Sequence, residues 1–288
     1  MQTITTKFPP LPLEELITRI KQFETSSLEE KYELLTDLIR VHPTIGVDFS
    51  KGSVFKRARM INEEDYPELV QDLLWRVEGV ARTGRANPEG FPVLYIADRQ
   101  DTAFGEIHID GHFVLLTELQ IREGTKCRIV PIGEFLRIQR TGRGTLTGDL
   151  SFAINNILNS CRREDAQSLL ITDAFLFECM IKDDDQYQIS SFVAKSIFEK
   201  DRKNSAIAYP SAKQYGAVNL AVRVDNFWKS WAIIGARRMY VRNLALGYYE
   251  SSRTEHVMGI TRLGKLIWEK GIIDNSSSHR LEPPWYPE

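Results

Sequence analysis

The chain has 288 residues, 42% hydrophobic and 26% charged, with 37 Lys+Arg against 39 Asp+Glu for a formal net charge of −2. That balance gives no global electrostatic case for nucleic acid or an anionic membrane as a partner, and the length is ample for one large domain with extensions. No run approaches the ~18 to 20 apolar residues that span a bilayer, and the opening MQTITTKFPPLPLEEL lacks the apolar middle of a secretory signal.

In chain order, the Pro9–Pro10 break is followed by Leu13, Leu16, Ile17, Ile20 and Phe23 at helical spacing. Ser26 or Ser27 with Glu29 or Glu30 then forms a capping-box pattern ahead of a second stripe, Leu28, Tyr32, Leu35 and Ile39. His42-Pro43 ends that helix, because the residue before proline avoids the helical region. The spacing therefore predicts a helical N-terminal extension over residues 1–50, amphipathic and so covering either the main domain or a partner.

From Gly52 the texture changes to short pieces separated by turn residues. SVFKRARMI alternates like a strand and puts Arg57 and Arg59 on one face. FPVLYIA reads as a buried strand, and Asp101 as the cap of a helix carrying Thr102 to Ile107. SFAINNILNSC and YQISSFVAKSIFEK read as helices, while AIAYPS and GAVNLAVRV read as strands flanking a turn at Pro210 to Gly216. Strands and helices mix without regular alternation, which predicts an α+β fold with a mixed sheet. The main domain spans 51–228, and 229–288 forms a C-terminal extension packing on it, closing on a loose NSSSHRLEPPWYPE. The basic runs Arg137, Arg140, Arg143 and Arg237, Arg238, Arg242 read as solvated loop or sheet-edge residues. Cys127, Cys161 and Cys179 show no C-x-x-C pairing, so buried thiols in a reducing compartment, with the cytoplasm as location, are expected.

The chemistry-bearing motifs are sparse. There is no G-x-x-x-x-G-K-[ST], no strand followed by G-x-G-x-x-G and no G-x-S-x-G. TGRGTLTG, Thr141 to Gly148, reads as a flexible loop. In EIHIDGH, the residues Glu106, His108, Asp110 and His112 would share a strand face and imitate a metal site, but Asp110-Gly111 is a turn signal that breaks such a strand. Arg57, Tyr95, Glu106 and Ser211 form a more coherent set. Arginine offers a planar fork of donors that suits a pyrophosphate. An aromatic ring stacks on nicotinamide or adenine, and a carboxylate steadies the oxocarbenium-like state of N-glycosidic cleavage. A serine hydroxyl holds a ribose or amide oxygen.

FKRAR, GRANPEGFPVLYIA, TAFGEI and AIAYPSAKQYGAVNLAV together resemble the RES-domain family, over about Ser53 to Val224 and in the family's order. The resemblance implies an ADP-ribosyltransferase-like fold and NAD⁺ as substrate, with no prosthetic group. The activity it implies is hydrolysis or phosphorolysis of NAD⁺, or transfer of its ADP-ribose to a protein, as in toxins of toxin–antitoxin pairs. It implies Arg57, Glu106 and Ser211 as catalytic residues, with Arg57, Arg85, Tyr95, Tyr209 and Asn219 contacting NAD⁺. Arg57 would bind the phosphates or ribose, Tyr95 would line the nicotinamide side, Glu106 would orient the ribose, and Ser211 would hold the nicotinamide or its ribose. Arg59 competes with Arg57 for the first role. A separate antitoxin or protein target is the implied partner. Two other readings stay open, a catalytically idle interaction module of the same fold and metal-assisted hydrolysis centred on Glu106 and His108.

Overall fold

Local capping decides where the first helices begin. Ser27 Oγ accepts from the Glu30 amide at 3.3 Å while Glu30 Oε2 accepts from the Ser27 amide at 2.8 Å, and this reciprocal pair starts α3 (Leu28–Val41). Extended His42, ahead of Pro43, ends it. Before it come α1 (Ile4–Lys7) and α2 (Leu13–Gln22), whose Leu16 is fully buried. The computed structural model describes residues 3–75, 80–182, 186–225 and 227–269, so the terminal NSSSHRLEPPWYPE lies outside the described residues.

The remaining elements are β1 (Val47–Phe49), β2 (Val54–Ile61), β3 (Val93–Ala97), α4 (Gln100–Glu106), β4 (His112–Ile121), β5 (Cys127–Pro131), α5 (Glu134–Thr141), α6 (Leu150–Asn159), α7 (Arg163–Ile181) and α8 (Gln188–Lys200). They continue as β6 (Asn204–Pro210), β7 (Val218–Arg223), α9 (Phe227–Ser230), β8 (Trp231–Ala245), β9 (Tyr248–Ile260) and β10 (Leu266–Trp268). The ten strands pair in the order β1-β5-β6-β7-β3-β2-β4-β8-β9-β10. Among the described residues only β5 and β6 pair in parallel; every other neighbouring pair is antiparallel. This is a mixed α+β fold with a helical segment ahead of its sheet.

Strand alternation separates two cores. Leu94, Ile96, Leu220 and Val222 join Phe55, Leu115 and Trp231 in one cluster. Val93, Tyr95, Ile207 and Ala221 turn the other way, toward α7 and α8. There the apolar stripes of α2 and α3, with Leu34, Leu35 and Leu38, meet Leu176, Met180, Ala194 and Ile197. The N-terminal helices are thus built into a main hydrophobic cluster. A third cluster, with Phe104, Ala103, Ala58 and Ala97, seats α4 on the sheet and fixes the end of that helix in space.

Four sequence expectations are corrected. Asp101 is not the cap of α4; the helix begins at Gln100 with Arg99 as its N-cap, and Asp101 lies in the first turn, where a carboxylate favours the helix dipole. Arg237 and Arg238 are not solvated. Arg238 is 3% exposed, bonds Glu255 Oε2 at 2.7 Å and lies 4.0 Å over the Tyr66 ring, while Arg237 bonds Glu118 at 3.0 Å and Gln100 at 2.8 Å. The Thr141–Gly148 segment is pinned rather than flexible. Buried Glu134 accepts from the amides of Thr145, Leu146 and Thr147 and from the Thr147 hydroxyl, at 2.8–3.0 Å. Of the cysteines, Cys127 and Cys179 are buried, with thiol pKa values pushed by burial to about 12, but Cys161 is partly exposed. No helix among the described residues is long and apolar enough to cross a membrane.

Candidate active site

Strands β2 and β3 are neighbours in the sheet, yet they register at one position alone, Lys56 opposite Ala97. Beyond it they part, and a cavity of about 560 Å³ opens among β2, β3, β6, β7 and α4. That size suits a small-molecule ligand. A second void, beside His42 and Phe135, is only about 30 Å³ and is too small for one. The larger cavity is lined by Arg57, Arg85, Tyr95, Glu106, Tyr209 and Asn219, six of the seven residues singled out from the sequence. Ser211 and Arg59 are not among its lining residues.

Glu106 is the last residue of α4, delivered to the cavity by the packing of Phe104 beneath it. Its Oε1 accepts two short hydrogen bonds, from Ser211 Oγ at 2.6 Å and from Asn219 Nδ2 at 2.6 Å. Ser211 itself accepts from the Lys213 and Gln214 amides at 3.1 Å, a turn that leaves its one proton directed at the carboxylate. Gln214 also meets Thr102 of α4 at 2.9 Å, tying the turn back to the helix. Among the described residues Oε2 has no such partner. The carboxylate is therefore held by one oxygen, and the other is free to face a ligand.

Arg57 spans the gap between the parted strands, its Nη1 lying 3.4 Å from the Tyr95 carbonyl oxygen. Among the described residues it has no carboxylate partner. Loss of water, reinforced by the nearby charge of Arg59, pulls its pKa down to about 10. It remains a cation at neutral pH, and one that an anionic ligand would relieve.

Tyr95 presents its ring to the cavity and uses its hydroxyl on the adjoining turn. It accepts from the Ala86 amide at 2.9 Å and donates to Asn87 Oδ1 at 2.7 Å, which sets the conformation of Gly84–Asn87. Burial, the largest cause, raises its phenol pKa, so the donor proton is retained. Arg85 extends from that turn to the end of α7, donating to the carbonyls of Met180 at 3.0 Å and Lys182 at 3.2 Å. Tyr209 is 5% exposed. Its phenol pKa is raised well above the usual value, first by burial and then by Tyr95 and Glu106. Its hydroxyl has no hydrogen-bond partner among the described residues and is available as a neutral donor to a ligand.

Three lining residues with polar side chains went unrecognised as pocket residues in the sequence, namely Lys56, Tyr187 and Lys213. Lys56 alternates away from Arg57 on β2 and reaches the cavity only because the strands part, while the other two stand at loop positions with no local signal. Among the described residues four basic side chains, Lys56, Arg57, Arg85 and Lys213, thus line the cavity against one carboxylate, that of Glu106. Such a lining favours a ligand with phosphate groups. His108 also lines it, in a left-handed conformation with φ 50°. Among the described residues no group of three or more His, Cys, Asp or Glu could hold a metal ion, so Glu106 and His108 lack a donor set around them.

The model of the RES domain family matches residues 58–233, more than half of the chain. The chain belongs to the RES domain family. The matched stretch of this RES chain contains Arg59, Arg85, Tyr95, Glu106, Tyr209, Ser211 and Asn219, and it begins one residue after Arg57. It also ends inside β8, so the sheet continues beyond it through β9 and β10. No curated protein and no solved structure matches the chain. RES membership points to NAD⁺-linked, ADP-ribosyltransferase-like chemistry.

Proposed function

We propose that this RES protein is an NAD⁺-consuming enzyme that breaks the bond between nicotinamide and ribose, acting as a toxin or effector beside a separate antitoxin or target protein. One observation carries the reading. Glu106, clamped through one oxygen by Ser211 and Asn219, lines the same cavity as Arg57, a desolvated cation without a carboxylate partner among the described residues.

In this mechanism the Arg57 fork holds the pyrophosphate, with Lys56 adding charge from the same strand. Glu106 turns Oε2 to the nicotinamide ribose. As the glycosidic C–N bond breaks, its electron pair leaves with nicotinamide, which becomes neutral, and positive charge builds on the ribosyl carbon. The fixed carboxylate stabilises that charge more in the transition state than in the ground state. Tyr209 donates a hydrogen bond to the ribose or the carboxamide. Water, phosphate or a protein side chain then bonds to the ribosyl carbon and loses its proton. Ser211 acts by holding Glu106 and has no contact with the cavity in this arrangement.

The test is nicotinamide release from NAD⁺ by the purified full chain, with and without phosphate, beside Glu106→Ala. Release that disappears in the variant supports the reading, and a rate that rises with phosphate identifies phosphate as acceptor. Equal release from both proteins overturns the assignment of Glu106. NAD⁺ binding without turnover, with or without a protein acceptor, would favour the idle interaction module instead.

A further inference from the structure

Tyr187 is the least expected residue of the cavity wall. It is the N-cap of α8, and its backbone sits at φ 52°, ψ 22°, a left-handed conformation that a bulky aromatic rarely adopts. Glycine or asparagine would occupy that corner without strain. An aromatic ring at a strained position on a cavity wall is a feature of ligand clamps. The ring is also buttressed, since the Arg85 guanidinium lies 5.3 Å from its centroid. Arg85 is in turn anchored on Met180 and Lys182 at the end of α7.

We propose that Tyr187, backed by Arg85, is the platform on which the adenine ring of the dinucleotide stacks; this rests on the reading of the cavity as an NAD⁺ site. Charge decides which of the two bases it takes. The nicotinamide of NAD⁺ is a cation, whereas adenine is neutral at physiological pH. A ring that already holds the Arg85 cation at its π-system has less attraction left for a second cation, whereas a neutral purine stacks on it without that cost. Glu106 supplies the opposite polarity, a carboxylate suited to the cationic nicotinamide riboside. The opposite charges of Arg85 and Glu106, on different elements of the wall, then set which way round the dinucleotide lies.

The experiment compares NAD⁺ with nicotinamide mononucleotide, which carries the same scissile bond and no adenine. Tyr187→Gly removes the ring while fitting the left-handed backbone, so loss of the fold is not expected; Tyr187→Phe keeps the ring. The ratio of kcat/KM for NAD⁺ to that for the mononucleotide should fall about tenfold in Tyr187→Gly, through KM, and hold in Tyr187→Phe. An equal loss with both substrates would place the ring at the nicotinamide end and overturn the proposal, as would no loss with either. If wild type cleaves neither, the proposed activity falls, and titration calorimetry with ADP-ribose decides the platform separately. A Kd about tenfold weaker in Tyr187→Gly supports it; an unchanged Kd, or no binding by wild type, overturns it.

Discussion

Ser211 donates its hydroxyl proton to Glu106 Oε1 at 2.6 Å, across a separation of 105 residues. The bond joins the turn after β6 to the end of α4 and orients a carboxylate that Asn219 holds from β7. Ser211→Ala should leave the fold and the Asn219 bond in place while letting the carboxylate swing. A hydrogen bond to a charged group is worth about 1.5–3 kcal/mol, so kcat for NAD⁺ cleavage should fall roughly 10- to 100-fold with KM little changed. Ser211→Thr, which keeps the hydroxyl, should recover most of the rate. A change confined to KM would instead put Ser211 in contact with substrate.

Gly84 lies where the turn passes under the Tyr95 hydroxyl. A Cβ at this position would stand 2.7 Å from Tyr95 Oη and 3.0 Å from Asn87 Oδ1, closer than such atoms approach. Gly84→Ala should therefore push Tyr95 off its turn and displace Arg85 from α7. The expected result is a rise in KM for NAD⁺ of about tenfold or more, with a stability loss of about 1–3 kcal/mol. Steady-state kinetics beside urea denaturation would show both, and a variant equal to wild type in both would refute the role given to this turn.

Glu134, 1% exposed, collects four donors from one loop. Glu134→Ala would strand two buried amides and a partly buried one and should cost about 3 kcal/mol in chemical denaturation. Arg143→Ala, an exposed change on the same loop, should stay within about 0.5 kcal/mol. Similar costs for the two would mean that the loop is not organised by the carboxylate.

Lys200 predicts a pH dependence. Its Nζ donates to the carbonyls of Ile39, at 2.6 Å, and His42 at the end of α3, and burial lowers its pKa from 10.5 to about 8. Between those two values the unfolded chain binds more protons than the folded one, so this group's contribution to stability improves as pH rises through about 8 toward 10.5. Below 8 the cost of burying the ammonium is present in full. The denaturation midpoint of wild type relative to Lys200→Met should thus shift in favour of wild type between pH 7 and 10. A shift the other way would mean that the two carbonyl bonds outweigh the burial.

The parts legible in the sequence are those whose cause is local. Ser27 and Glu30 announce α3 because a capping box is complete within four residues, and His42-Pro43 announces its end. Arg57, Glu106 and the AIAYPS segment could be named as residues, but the bond between Ser211 and Glu106 links distant stretches and has no local trace. The long helix α7 is not legible because its buried face carries the polar residues Ser168, Thr172 and Asp173, while apolar Ile171, Phe175 and Phe177 lie to either side of that face and blur the stripe. Arg237 and Arg238 looked solvated because their partners, Glu118 and Glu255, arrive from other strands or later in the chain.

The place of the N-terminal helices in the second hydrophobic cluster also bears on how the chain is made. During synthesis α2 and α3 emerge first, with Leu16, Leu35 and Leu38 turned toward partners not yet translated. His42, at the end of α3, waits 131 residues for Asp173, its hydrogen-bond partner on α7. Until α7 and α8 leave the ribosome, the hairpin is an unfinished surface and a natural client for a chaperone. Because Arg85 docks on the end of that same α7, the cavity it lines cannot be completed before this late closure.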